Sequence, residues 1–308
     1  MNMFKQGVLT IALAAGIGFG AVAPAQASTF ASSILQINNF RLLHSNGAAY
    51  SNTDFALLTG TNDAHATAAL NGVFANGAAS VPILAGNPNV AQQCVGTCFP
   101  VPANTFTPIA SPPVTTTYGH ADQNLTGASI SVNGSAAGAN AATRADASTA
   151  VNAIASGNSD VGTSTTFRFT AGTSDTMTIA FDGDPYTRAY VSNDAGPSSN
   201  ANARLSWSIN IVNLADGSTV LAYAPPELNA LSNVSVTDGA PGTVTYDPVS
   251  AFFTATTPLL IAGQNYQITI QHNSLANALQ QELPEPTTLA VLAAGLLGMS
   301  LLSRRRQQ

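Results

Sequence analysis

Hydrophobic and polar residues alternate along the second half of the chain, and this alternation predicts β-strands. In the segment 205–211, LSWSINI, every second residue is apolar. A period of two places alternate side chains on opposite faces of a strand, so the segment is expected to have one buried face. The Asp-Gly dipeptides at 182–183 and 216–217 are typical of turns between strands. Residues 163–283 are therefore expected to form an antiparallel β-sandwich or a jelly-roll-like fold.

The segment 205–223 predicts a β-hairpin with Trp207 in its first strand. The alternating run leads into the Asp-Gly dipeptide at 216–217 and is followed by a second apolar stretch. Trp207 is the only Trp of the chain, and a Trp side chain can stack against a sugar ring. Its place at an apolar position of the strand favours the core instead.

Residues 28–162 show a weaker pattern. The segment 33–43, SILQINNFRLL, predicts one or two opening strands. The Ala-rich segments 64–79 and 136–155 are rich enough in Ala for helix, but Asn, Gly and Thr interrupt them, and no 3.6-residue stripe is present. We expect irregular or short-strand structure there, and a loop at 100–113, which contains five Pro. The first half is thus expected to be a loosely β region.

Residues 1–27 have the three parts of a secretory signal peptide. A short basic start precedes an apolar run at 8–22, and the small-residue pattern Ala25-Gln26-Ala27 follows. We expect signal peptidase to cut between Ala27 and Ser28. The alternative, an uncleaved N-terminal anchor, is disfavoured because the apolar run is short and a good cleavage site follows it.

The C-terminal segment combines a Pro-Glu-Pro tripeptide, an apolar run and a cluster of Arg. In order, these are Pro284, Glu285 and Pro286, the run 287–303, and Arg304, Arg305 and Arg306. As a helix the run reaches about 25 Å, close to the ~30 Å hydrocarbon core, and it predicts a single transmembrane helix. The Arg cluster is expected to stay cytoplasmic, which places residues 28–286 outside the inner membrane.

This arrangement resembles the PEP-CTERM sorting signal of Gram-negative bacteria. The resemblance implies a precursor held transiently in the inner membrane and recognised by an exosortase, a membrane-embedded cysteine transpeptidase or protease that cuts near residues 284–286. It further implies a secreted or cell-surface protein associated with exopolysaccharide and biofilm. The alternative is that the two prolines only interrupt the approach to an ordinary anchor helix.

Charge is scarce and mostly negative. Charged residues make up 8% of the chain, which excludes a charge-rich disordered tail. Residues 28–283 contain five Arg against 12 Asp and two Glu, a net charge of −9. Such a surface repels phosphate backbones, so nucleic acid is not expected as a partner, whereas divalent cations and neutral glycans remain compatible with it.

The two cysteines, Cys94 and Cys98, are four positions apart. In an oxidising compartment this predicts a disulfide that closes a small loop. A metal pair would need two more Cys or His nearby, and the spacing differs from the Cys-x-x-Cys of redox enzymes.

The best metal candidates are Asp182 and Asp184, with Asp175 and Asp194 nearby in sequence. Carboxylates on loops can bind Ca²⁺, which takes six to eight oxygen ligands. The alternative is a plain turn, because Asp-Gly is first of all a turn dipeptide. No cofactor other than this weakly indicated calcium is expected.

No catalytic motif is present in the chain: there is no His-Glu-x-x-His, Gly-x-Ser-x-Gly or phosphate loop. The sequence therefore favours a non-enzymatic surface or extracellular-matrix protein. A second hypothesis is a carbohydrate-binding or adhesive β-sandwich module that uses calcium. A third, a secreted hydrolase with an Asp-based site, has the least support.

Overall fold

The computed structural model describes residues 27–150, 155–196, 198–237 and 240–280. These residues form fourteen strands and three short 3₁₀ helices. The strands are β1 (Ser28–Leu43), β2 (Phe55–Leu70), β3 (Val73–Pro82), β4 (Gln93–Gly96), β5 (Tyr118–Thr126), β6 (Ala139–Ala150), β7 (Ala155–Ala171), β8 (Thr178–Val191), β9 (Asn200–Asn213), β10 (Thr219–Tyr223), β11 (Val234–Val236), β12 (Gly242–Tyr246), β13 (Ala251–Thr256) and β14 (Asn265–Gln280). The 3₁₀ helices are Asn52–Asp54, Pro226–Leu228 and Ala230–Ser232.

The strands form two seven-stranded antiparallel sheets. Sheet A has the order β12-β8-β1-β6-β5-β4, with β13 also paired to β8. Sheet B has the order β10-β9-β14-β7-β2-β3, with β11 also paired to β9. The prediction of a mainly β, antiparallel sandwich is therefore confirmed. Residues 1–26 of the signal peptide predicted at 1–27, and the whole sorting signal predicted at 284–308, lie outside the described residues. Within the described ranges, no helix is long and apolar enough to cross a membrane.

A β-bulge in β1 lets the apolar side chains before and after it face the same core. The pairing shifts by one residue between Ile37 and Phe40 against β6 and between Asn38 and Arg41 against β8, and Asn39 takes the left-handed conformation at φ 55°. An uninterrupted strand would turn Phe40 and Leu42 to the face opposite Ile37. The inserted residue restores the phase, so all three side chains lie in the core between the sheets.

The core has an aromatic half and an alanine half. In the aromatic half, the Trp207 ring lies 4.4 Å from the ring of Phe181, centroid to centroid, and the Trp207 side chain is 1% exposed. The expectation that Trp207 is a core residue is thus confirmed. In the alanine half the small side chains let the sheets approach closely, and Thr143 Oγ1 of β6 lies 2.7 Å from Ser274 Oγ of β14.

The first half of the chain is more regular than expected. The Ala-rich segments 64–79 and 136–155 contribute to long strands, among them the 16-residue β2 and the 12-residue β6. The boundary drawn between 162 and 163 falls inside β7, and both parts of the chain supply strands to both sheets. The reason is that a small side chain suits a strand buried between two close sheets, whereas a helix of this composition would have no apolar stripe.

Of the Asp-Gly turn predictions at 182–183 and 216–217, the second is confirmed and the first is wrong. The dipeptide at 216–217 joins β9 to β10 in the expected hairpin, with Gly217 at φ 73°. The dipeptide at 182–183 lies inside β8. A Cβ on Gly183 would come within 2.8 Å of the Phe253 ring, so close packing against β13 requires glycine there.

Candidate functional site

The predicted calcium ligands Asp182 and Asp184 lie on one face of β8, which is next to the edge strands β12 and β13 of sheet A. Both are in the ladder with β1, opposite Asn38 and Gln36 respectively. Burial, and next the charge of Asp247, raise the pKa of Asp184. In the described ranges, no group of three or more His, Cys, Asp or Glu is placed to hold a metal ion.

Asp175, which the sequence placed near that pair, belongs to a different cluster. His44 Nδ1 lies 2.7 Å from Asp175 Oδ2, and His44 Nε2 lies 3.1 Å from Asp54 Oδ2. The His44 ring stacks on Tyr50 at 3.7 Å between centroids. Hydrogen bonds from Ser45 and His44 lower the pKa of Asp175 to about 2. The two carboxylates bond to opposite ring nitrogens and so do not converge on one point. The cluster joins the β1–β2 connection, which carries His44 and Asp54, to the β7–β8 connection, which carries Asp175.

Cys94 and Cys98 are joined by a disulfide, with their Cα atoms 6.4 Å apart. Cys94 is in β4, and Cys98 lies just before a long Pro-rich connection to β5. The bond therefore secures the start of that connection, residues 99–117, which we call the Pro-rich strap.

The Pro-rich strap crosses the outer face of sheet A and is held there by side chains of the sheet. Arg144 Nη1 donates to the carbonyl oxygens of Thr105 and Thr107 at 3.1 and 2.9 Å. Ser148 Oγ donates to the carbonyl oxygen of Thr116 at 2.9 Å. The strap thus converts an outer sheet face into a second buried layer, in which Phe30 and other side chains of that face are buried.

A charged network lies under the strap. Asp146 accepts hydrogen bonds from Arg144 Nε and Ser32 Oγ, both at 2.6 Å, and its Oδ2 is 3.3 Å from His120 Nδ1. Burial alone would raise the pKa of Asp146, but Arg144 and His120 outweigh burial and lower it to about 2. Nearby, burial raises the pKa of Asp122, and the Asn104 backbone N–H donates to its Oδ2 at 2.7 Å. Arg144 and His120 both contact Asp146, and Arg144 also bonds to the strap, so the network has a structural role.

Sequence reasoning missed this network. The signal available was the run ATRADAST at 142–149, in which charged and hydroxyl residues alternate with Ala. On a strand with both faces buried, such alternation places Arg144 and Asp146 on one face. The sequence does not show that the strap covers this face, so the burial of these two side chains could not be predicted from it.

A cavity lies between the two sheets, beside the connection from β5 to β6, with a volume of about 60 Å³. Its walls are mostly apolar, and Trp207 and His272 are among the lining residues. Asn62 at the cavity holds the adjacent loop, because its Nδ2 donates to the Gly86 carbonyl oxygen at 2.9 Å. Thr165 Oγ1 donates to Asn62 Oδ1 at 2.7 Å.

His272 is the titratable residue of this cavity. Its Nε2 lies 2.9 Å from Thr143 Oγ1, on the opposite sheet. Burial lowers the pKa of His272 to about 3, so the imidazole is neutral near pH 7. The residues that line the cavity include no Asp, Glu, Lys or Arg. The cavity therefore offers apolar surface and neutral hydrogen-bonding groups, without a paired acid and base.

Of the residues at the predicted signal-peptidase site, the structure describes Ala27 and Ser28, one on each side of the predicted cut. Ala27 and Ser28 are buried at the start of β1, and the Ser28 N–H donates to Ser192 Oγ at 2.8 Å. Ala25, Pro284, Glu285, Pro286, Arg304, Arg305 and Arg306 lie outside the described residues. No protein-family model, curated protein or solved structure matches this chain.

Proposed function

We propose that the chain is a non-enzymatic exported surface or extracellular-matrix protein, processed by signal peptidase and by an exosortase, and associated with exopolysaccharide or biofilm. The observation that supports this proposal is where the first strand of the chain begins and the last one ends. β1 begins at Ser28, directly after the proposed first cut, and β14 ends at Gln280, four positions before Pro284. Neither cut would remove a strand from the sandwich.

The disulfide and the charge distribution also support export. A bond between Cys94 and Cys98 persists in oxidising compartments outside the cytoplasm. The proposed cytoplasmic cluster Arg304, Arg305 and Arg306 directly follows the apolar run, as the positive-inside rule requires of the proposed orientation.

The alternative, a carbohydrate-binding or adhesive module, has less support. Sugar rings are commonly held by exposed aromatic side chains. The two Phe side chains that are mostly exposed in the described ranges are Phe74 on sheet B and Phe252 on sheet A, so they belong to different sheets. Trp207, which sequence reasoning considered for stacking, is buried.

The test is intact mass spectrometry of the protein recovered from the surface and medium of exosortase-containing cells and of matched cells without the exosortase. The expected product begins at Ser28 and ends near 284–286 in the first cells only. Substitution of Pro284, Glu285 and Pro286 by Ala should leave the tail attached, whereas the neighbouring control Glu282→Gln should be processed normally. A wild-type product that retains Arg306 in exosortase-containing cells would overturn the proposal.

A further inference from the structure

The edges of the two sheets differ greatly in length. At its two sides, sheet A ends in β4, β12 and β13, and at one side sheet B ends in β10 and β11, all between three and six residues long. The other side of sheet B ends in β3, which has ten residues and pairs with β2 alone. Short edge strands limit pairing with other chains, so β3 is the strand on which such pairing has most room.

β3 also lacks the chemical features that protect an edge. Its sequence, VFANGAASVP, contains no charged residue, and its single Pro is the last residue, Pro82. Its register with β2 runs from Val73 to Pro82 without a bulge. Charges, internal prolines and bulges are the usual means of preventing edge-to-edge association.

The hairpin geometry identifies the backbone groups that face outward. Asn71 and Gly72, at φ 50° and 80°, form a two-residue turn between the paired residues Leu70 and Val73. In such a hairpin the two residues that flank the turn are hydrogen-bonded to each other. Hydrogen-bonded pairs of residues then alternate with non-hydrogen-bonded pairs along the two strands. Val73 and every second residue after it therefore bond to β2. The intervening residues Phe74, Asn76, Ala78 and Ser80 point their N–H and C=O groups away from β2.

We propose that a second copy of this chain binds at this edge, β3 against β3 and antiparallel, with the two-fold axis at Gly77. In this register Phe74 of one copy lies opposite Ser80 of the other, and Asn76 lies opposite Ala78. All four residues of each β3 strand whose backbone groups face outward then form hydrogen-bonded pairs with residues of the other copy. The contact forms eight backbone hydrogen bonds and joins the two B sheets into one continuous sheet.

A second copy fits this edge better than an unrelated strand for two reasons. The outward groups are spaced symmetrically about Gly77, so the edge is complementary to itself under a two-fold rotation. Residues 28–283 of each copy carry a net charge of −9, and the uncharged strip lets two like-charged molecules meet without placing carboxylates opposite one another. The Phe74 side chain, 64% exposed in the single chain, would lie diagonally across from Pro82 of the other copy, where it loses contact with water.

Cysteine cross-linking tests both the pairing and its register. Two versions of the full chain, Asn76→Cys and Ala78→Cys, are expressed separately, and the exported proteins are purified, mixed and oxidised. The native Cys94–Cys98 bond leaves the introduced thiol as the one that reacts. The mixture should cross-link at least about fivefold more than either variant alone, because residues 76 and 78 are opposite each other whereas identical positions are diagonal.

Sedimentation measurements on the exported protein test the association itself. Ala78→Pro removes an outward N–H that β2 does not use, so the monomer should keep its fold while the dimer dissociation constant rises roughly tenfold or more. Ala78→Lys should act in the same direction by placing a charge on the edge. Val249→Lys is the matched control, because Val249 is 90% exposed on a loop away from β3 and the added charge is the same.

Two outcomes would overturn the inference. One is a wild-type protein that remains monomeric at the highest soluble concentration. The other is dimerisation that Ala78→Pro and Ala78→Lys leave unchanged while circular dichroism shows both variants folded. The inference deepens the proposed function by supplying a mode of assembly, but the tests are separable, since mass spectrometry of the termini reports processing whether or not the protein dimerises.

Discussion

Arg144 and Asp146 stand two positions apart on β6, are almost completely buried, and bond directly, with Arg144 Nε 2.6 Å from Asp146 Oδ2. Their spacing puts both side chains on the same face of the strand. The same guanidinium also binds carbonyl groups of the Pro-rich strap. This ion pair is therefore one of the contacts that fix the covering segment to the sheet.

Removing one partner of this ion pair should be strongly destabilising. We expect Asp146→Asn to lower the free energy of unfolding by about 3–5 kcal/mol, because it removes the carboxylate charge to which the buried Arg144 guanidinium bonds directly. Urea denaturation followed by circular dichroism measures the change. The control is Arg168→Met, since the Arg168 bond to Gln267 is exposed and its loss should cost less than about 0.5 kcal/mol. Equal effects of the two substitutions would contradict the structural role of the network.

His272 should make the protein sensitive to acid. The folded protein keeps His272 neutral because its pKa is lowered from 6.5 to about 3, whereas the unfolded chain takes up a proton near pH 6.5. The unfolded state binds more protons in this interval, so stability is complete above pH 6.5 and falls toward pH 3. One such proton corresponds to a slope of about 1.4 kcal/mol per pH unit.

The measurement compares wild type with His272→Gln by urea denaturation at a series of pH values. Between pH 6 and 4, the free energy of unfolding should fall less steeply with decreasing pH in the variant than in wild type. The difference in slope should correspond to roughly one bound proton, and the two curves should run parallel above pH 7. Parallel curves over the whole range would show that His272 does not titrate differently in the two states.

Trp207 should be a major contributor to stability. Trp207→Ala removes the ring that packs against Phe181 and should lower the free energy of unfolding by about 3–5 kcal/mol. Phe252→Ala is the control, since the exposed Phe252 ring should contribute less than about 0.5 kcal/mol. Circular dichroism during urea denaturation follows both variants. As the only Trp, Trp207 should also show blue-shifted fluorescence that iodide does not quench until the protein unfolds.

The disulfide should give a modest stabilisation. Replacing both Cys94 and Cys98 by Ser should cost about 2 kcal/mol, the magnitude that chain entropy gives for so short a loop. Reduction of the wild type should produce the same loss, and the double variant should not respond to reductant. A wild-type stability that is unaffected by reduction would show that the bond does not constrain the unfolded chain.

The elements that sequence reasoning predicted correctly are those with local causes. The alternation in 205–211 and the Asp-Gly turn that follows lie within one hairpin, so neighbouring residues carry all the information needed. The turn prediction at 182–183 failed for a non-local reason. Gly183 is needed because the Phe253 ring, seventy positions away, packs against the backbone there.

The sequence by itself determined the strand character of the second half, the hairpin around Asp216 and the core position of Trp207, because period-two alternation depends only on adjacent residues. Only the tertiary structure decided that Ala-rich β2 and β6 are long strands, that Asp146 is buried beneath the strap, and that β3 is left at an edge. These properties depend on which distant segments cover a strand. The same alanine or aspartate suits a loop or a buried strand until packing places another layer over it.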